Sequence, residues 1–193
     1  MGSETAPARK VIVLADPTRE SAVALQYALS NVVLENDELI LLHVESPNSW
    51  RKNTLSFLRR SSLPSHYVPN LEGGDIDFLE AMKQVCEVAQ PGIRIRKEKM
   101  QMEAKVKDKD KANAILVRCN TLGVDAVIIG QRRSLSSALL GIKRPGSAGL
   151  KAFDMAEYLI ENSNCNCVGV QKKGQNAGYL INTKTQKNFW LLA

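Results

Sequence analysis

The chain has 193 residues, 44% hydrophobic and 24% charged, which suits one folded domain with a tail and excludes wholesale disorder. Four cysteines (Cys86, Cys119, Cys165, Cys167) are too few for a disulfide scaffold and lack paired zinc spacing. No stretch approaches the roughly 20 apolar residues of a membrane span, and Met1 to Pro7 is too polar for a signal peptide. Lysine and arginine outnumber aspartate and glutamate by 26 to 20, a net charge of +6 with a pI near 9.2, so an anionic partner is expected; the expected location is the cytoplasm, with the nucleus as an alternative.

Residues 1–8 form a polar leader. Val11-Ile12-Val13-Leu14-Ala15 is a nearly continuous apolar run, as a strand buried on both faces requires. Asp16-Pro17-Thr18 ends it, because Pro17 has no amide hydrogen for the ladder and Asp16 or Thr18 can cap a helix. Leu25, Ala28, Leu29, Val32 and Val33 then recur at helical spacing, and Glu38 to Val44 forms a second apolar run. A helix-length crossover between two such strands predicts a parallel pair.

Between about residues 45 and 74 the chain loses periodicity and fills with Ser, Pro, Asn and Arg, so this stretch reads as an insertion. A second helix is expected from Asp75, with Ile76, Leu79, Met82, Cys86 and Ala89 inward, ended by Pro91-Gly92. Ile93 to Met102 alternates apolar and charged residues like an edge strand. A third helix buries Ala112, Ile115, Leu116 and Cys119 and stops at Gly123. Val124 to Ile129 is a fourth strand, Phe153 to Asn162 a fourth helix and Cys167 to Gln171 a fifth strand. Residues 172–193 form a tail ending in apolar Phe189-Trp190-Leu191-Leu192, which should pack on its own domain or on a partner.

Five strands alternating with helices predict a doubly wound, Rossmann-like α/β domain over residues 9–171, with helices on both faces. Ligands of such folds lie outside the carboxyl ends of the strands, where strand order reverses. The segment Gly130 to Lys151 falls there and holds five basic residues (Arg132, Arg133, Lys143, Arg144, Lys151) and no acidic one. Its glycines and serines would let backbone amides approach a phosphate closely. A phosphate loop and a solvated basic loop are both compatible with this composition.

These residues carry a resemblance. Val11 to Ser21, Leu41 to Val44, Val127 to Arg133 and Cys167 to Val170 resemble, in order and spacing, the universal stress protein family. Phe153 to Leu159 and the tail resemble its plant branch. The resemblance implies a five-stranded parallel sheet in the order 3-2-1-4-5 and a homodimer formed through the last strand. It also implies, for some members, binding of ATP or AMP, with Mg2+ accompanying the nucleotide. Carried over by position, Asp16 meets the adenosine end with Ala15 beside it among the nucleotide-binding residues, Val44 lies near the base, and Ile129 and Gly130 open the phosphate loop. The family pattern of glycine, two residues, glycine, nine residues, then glycine with serine or threonine is altered here. Arg133 stands at the second glycine, and Gly146-Ser147 is the preferred equivalent of the last pair. Arg133 could block a close approach or bind phosphate through its guanidinium.

His43, inside an apolar strand, reads as a core residue, and His66 has no partner that sequence identifies. With these two histidines alone and no Gly-x-Ser-x-Gly elbow, a hydrolytic triad has little support. There is no Walker lysine signature and no His/Cys cluster for a metal. No aromatic residues interleave with Arg94, Arg96, Lys97 and Lys99, which argues against nucleic acid. Cys165 and Cys167 flank one residue, so both should face one side, packed rather than redox-active. Ser61, Ser62 and Ser134 follow paired arginines and are candidate phosphorylation sites. The first expectation is therefore a nucleotide-binding stress-response or signalling protein. The alternatives are a dimeric interaction module with a degenerate site and a slow ATP hydrolase for which Asp16 is the one candidate base.

Overall fold

A computed structural model describes residues 8–45, 77–103, 106–132, 153–172 and 178–191. The elements in chain order are β1 (Lys10–Leu14), α1 (Arg19–Asn31), β2 (Glu38–Glu45), α2 (Phe78–Ala89), β3 (Arg94–Gln101), α3 (Asp108–Leu122), β4 (Ala126–Gly130), α4 (Met155–Asn162), β5 (Asn166–Lys172), β6 (Tyr179–Asn182) and β7 (Phe189–Leu191). They build one sheet in the order β3-β2-β1-β4-β5-β6-β7. The five parallel strands follow the expected 3-2-1-4-5 order. The expectation of a five-stranded sheet needs correction: seven strands are present, because part of the tail returns as two antiparallel strands beyond β5.

The central strands alternate between two cores. Val11, Val13, Leu39 and Leu41 face α1 and α2, packing with Ala24, Leu25, Leu79 and Met82. Ile12, Leu14, Ile40 and Leu42 face α3 and α4, packing with Ile115, Cys119 and Leu159. Burial on both faces is why these strands read as continuous apolar runs. β3, at the sheet edge, mixes half-buried and exposed residues and has no fully buried one, and its charges pair with neighbours, as in Lys97 with Glu80 and Arg118 with Glu98.

Local chemistry sets the helix ends. The Thr18 side chain accepts the Ser21 N–H at the start of α1, and Asp77 and Asp154 cap α2 and α4 in the same way. Gly123 ends α3 in the left-handed conformation, with φ of 60°, where a Cβ would be strained. The expected α4 start at Phe153 moves to Met155 because Asp154 is the cap. The expected inward Ile76 lies outside the described residues, and Ala89 is exposed rather than buried.

β6 pairs with β5 from Gly169↔Asn182 to Lys172↔Tyr179. Tyr179 and Ile181 are buried, with the Tyr179 ring edge-on to Tyr27 of α1 at 5.3 Å. The apolar end of the tail is exposed at Phe189 and Trp190 yet pairs with β6 through its backbone. Among the described residues no helix is long and apolar enough to cross a membrane.

Candidate functional site

β1 lies between β2 and β4, and the loops after β1 and β4 leave the sheet in opposite directions in strand order. A crevice is expected at their carboxyl ends. A cavity of about 420 Å³ opens there. Leu14, Leu42, Val44 and Ile129 form its apolar floor, Asp16, Thr18, Glu20 and Ser21 one wall, and Lys111 and Ile115 of α3 another. Gly130, Gln131 and Arg132 after β4, with Phe153 to Ala156 at the start of α4, close it.

Of the residues singled out in the sequence, Asp16, Val44, Ile129 and Gly130 border this one cavity. Ala15 does not: its side chain is buried in the core shared with α1 and α2. Arg133, Gly146 and Ser147, with the candidate phosphorylation sites Ser61, Ser62 and Ser134, lie outside the described residues.

The turn that carries Asp16 is held by Ser21. The buried Ser21 hydroxyl donates to the Leu14 carbonyl at 3.0 Å and accepts the Asp16 N–H at 3.0 Å. His43 Nδ1 lies 2.7 Å from the Ala15 carbonyl oxygen and 3.2 Å from Asp16 Oδ1. A carbonyl oxygen can only accept, so Nδ1 carries the proton and faces both oxygens. The imidazole is buried, edge-on to Phe78 at 4.8 Å, whereas the Asp16 side chain is 45% exposed. His43 thus steadies an aspartate that still reaches the cavity.

Gly130 has a packing reason to be glycine. A Cβ there would sit 2.1 Å from the Glu20 carbonyl oxygen, so the first turn of α1 rests directly on the β4 backbone. Past Gly130, the Gln131 N–H donates to the Val170 carbonyl at 2.8 Å, and its side chain bridges Asn182 and Asp154. Phe153 tilts against Tyr158, whose hydroxyl donates to Asn113 at 2.8 Å.

Charges on the described wall are mixed. Lys111 and Arg132 line it together with Asp16, Glu20 and Asp154, and four of the five basic residues noted after Gly130, Arg133, Lys143, Arg144 and Lys151, lie outside the described ones. The N-terminus of α4 is already capped by the Asp154 carboxylate, which accepts the Glu157 N–H at 3.1 Å. Elsewhere, burial pushes the Cys86, Cys119 and Cys167 thiols up to about 12, which keeps them protonated at neutral pH. Cys165 and Cys167 both pack into the α3/α4 core.

Sequence reasoning passed over Ser21, Gln131, Asp154 and Lys111. Asp154 followed three residues later by Glu157 is a readable helix-start signal. The other three acquire their roles through contacts that only the fold creates.

A mostly parallel, doubly wound sheet with a crevice beside its first strand places the chain in the doubly wound α/β class. Within that class, the sequence profile of the universal stress protein family matches residues 7–171, and the chain belongs to that family. Similar solved structures include MJ0577, a hypothetical protein from a structural-genomics test of structure-based functional assignment. It is 18% identical, with a TM-score of 0.46, over 86% of this chain and 97% of that one. The hypothetical protein PH0823 is 15% identical, with a TM-score of 0.41, over 87% of this chain and 99% of its own. No curated protein matches the chain.

Proposed function

We propose that the protein binds an adenine nucleotide, ATP or AMP, in this cavity and acts in a stress-response or signalling role, as a plant-type member of its family. The observation that carries this reading is the convergence of Asp16, Val44, Ile129 and Gly130 on one cavity at the strand ends. Leu14, Leu42, Val44 and Ile115 offer an apolar surface to the base, and the exposed Asp16 carboxylate can accept hydrogen bonds from ribose hydroxyls. Lys111 and Arg132 supply cations on the cavity wall. In this reading Arg133, Gly146 and Ser147 take the phosphates. Among the described residues no group of three or more His, Cys, Asp or Glu side chains is placed to hold a metal ion. A magnesium ion, where present, would accompany the phosphates of the nucleotide.

A second reading is an interaction module with a degenerate site. The Asp154 carboxylate favours it, because it occupies the α4 N-terminus that an anion would otherwise use. A homodimer through β5 belongs to both readings, and would have to displace the β6 pairing along Gly169 to Lys172.

Calorimetric titration with ATP and with AMP, with and without magnesium, tests the proposal. Saturable binding by the wild type, weakened about tenfold or more in Asp16→Ala, supports it. No binding by either the wild type or Arg133→Gly overturns it and leaves the interaction module.

A further inference from the structure

The hairpin of β6 and β7 reaches the cavity through three consecutive polar contacts. The Asn188 N–H, just before β7, donates to Asn182 Oδ1 at 2.7 Å. Asn182 Nδ2 donates to Gln131 Oε1 at 2.7 Å, and Gln131 Nε2 donates to Asp154 Oδ2 at 3.3 Å. Both ends fix the direction of this chain. A backbone N–H can only donate and an ionised carboxylate can only accept, so each intervening amide has one allowed orientation. Gly169 makes room for it: a Cβ there would come within 3.1 Å of Gln131 Oε1. Gln171 Nε2 adds a contact to the Arg132 carbonyl at 3.1 Å.

We infer that the hairpin is part of the site, with Asn182 and Gln131 as positioning residues that hold Asp154, and with it the start of α4, against the cavity. This deepens the nucleotide reading and rests on it only for the identity of the occupant. The consequence is a two-way linkage. A ligand touching Asp154 or Gln131 steadies the hairpin, and an event that lifts the hairpin off β5 loosens the cavity wall. Any strand that pairs with β5 at Gly169 to Lys172 must displace β6, and Asn182 leaves with it.

The directionality supplies a test that separates the relay from mere hairpin stability. Asn182→Asp keeps the acceptor for the Asn188 N–H but faces Gln131 with an acceptor where a donor stood. The Gln131 amide must turn over, and its oxygen then confronts Asp154. Asp154→Asn alone sets two donors face to face. Together the two substitutions keep the acceptor for the Asn188 N–H and rebuild the two side-chain links in the opposite direction, and Asn remains a good helix cap.

Hydrogen exchange on the full chain without nucleotide reads the outcome at the Glu157 and Tyr158 amides. Each single variant should exchange there about fivefold faster or more, and the double variant should return close to the wild type. Equal exchange in all four proteins, or a double variant no slower than the singles, overturns the relay. Addition of ATP or AMP should then slow the β6 amides in the wild type and the double variant more than in either single. If the wild type binds neither nucleotide in the calorimeter while the exchange pattern holds, the relay stands and the nucleotide reading falls.

Discussion

Replacing Gly130 with alanine puts a methyl group 2.1 Å from the Glu20 carbonyl oxygen, where an ordinary contact begins at 3.4 Å. The shortfall is 3.4 − 2.1 = 1.3 Å, and the obstructing atoms are backbone, so no side-chain rotation relieves it. Among the described residues the left-handed glycine is Gly123, so the penalty at Gly130 is steric rather than conformational. Either α1 lifts from the sheet or β4 shifts. Lifting α1 opens a gap under Ala24, Leu25, Ala28 and Leu29, all buried, and a gap of about 0.5–1 Å forfeits a quarter to a half of each contact's attraction. Overpacking of this kind costs about 1–3 kcal/mol, and a backbone obstruction belongs at the upper end. For a chain of this length the upper end is a fall in Tm of about 6–12 °C. Urea unfolding followed by circular dichroism, in the absence of any ligand, measures it. A midpoint shift equivalent to less than about 0.5 kcal/mol would refute the reasoning and return Gly130 to the role of a loop residue.

Further expectations concern ionisable groups away from the cavity. Arg9 donates to both carboxylate oxygens of the buried Asp37, at 3.2 and 2.6 Å, and Asp37 also accepts the Leu34 N–H at 2.9 Å. Burial pushes the Asp37 carboxyl up, but the hydrogen bonds and the charge of Arg9 outweigh it and hold it below its ordinary 3.8. Its stabilising contribution is therefore present above about pH 4 and is lost as pH falls below that value through the lowered folded pKa. Arg9→Ala should cost about 1–3 kcal/mol at neutral pH by leaving Asp37 buried with less compensation, and should flatten the acid limb of the stability curve. Arg9 is 44% exposed, so the lower part of that range is expected; an unchanged acid limb would disprove the assignment. The thiols of Cys86, Cys119 and Cys167 should resist iodoacetamide in the folded protein at pH 8 and react only on unfolding. Mass spectrometry showing prompt native-state labelling at any of the three would contradict their burial.

The central strands were legible because burial on both faces demands uninterrupted apolar runs, which β1, β2 and β4 display. Their order was not contained in that periodicity and came with the family resemblance. β6 and β7 were missed for a physical reason. Strands of four and three residues carry little pattern of their own, and their register depends on Tyr179 and Ile181 finding α1 and the distant β5. The site divides in the same way. Asp16, Val44, Ile129 and Gly130 end apolar strands, so their position at the crevice follows from topology. Ser21, Gln131 and Asn182 are ordinary polar residues in sequence, and their roles arise from partners 5 to 51 positions away. Gly130 shows a subtler limit, since a glycine that suits a phosphate loop equally suits a close helix-to-strand contact.

That close contact makes the cavity mechanically lopsided. Where α1 meets β4, backbone bears on backbone, and neither element can approach further. Across the opening, the start of α4 is held through side-chain amides at 2.7 and 3.3 Å, which can rotate and let go. The cavity therefore works like a vice with one fixed jaw and one sliding jaw. On the proposed reading, an occupant of different bulk is accommodated on the α4 side, and the displacement is felt along the hairpin at the far edge of the sheet.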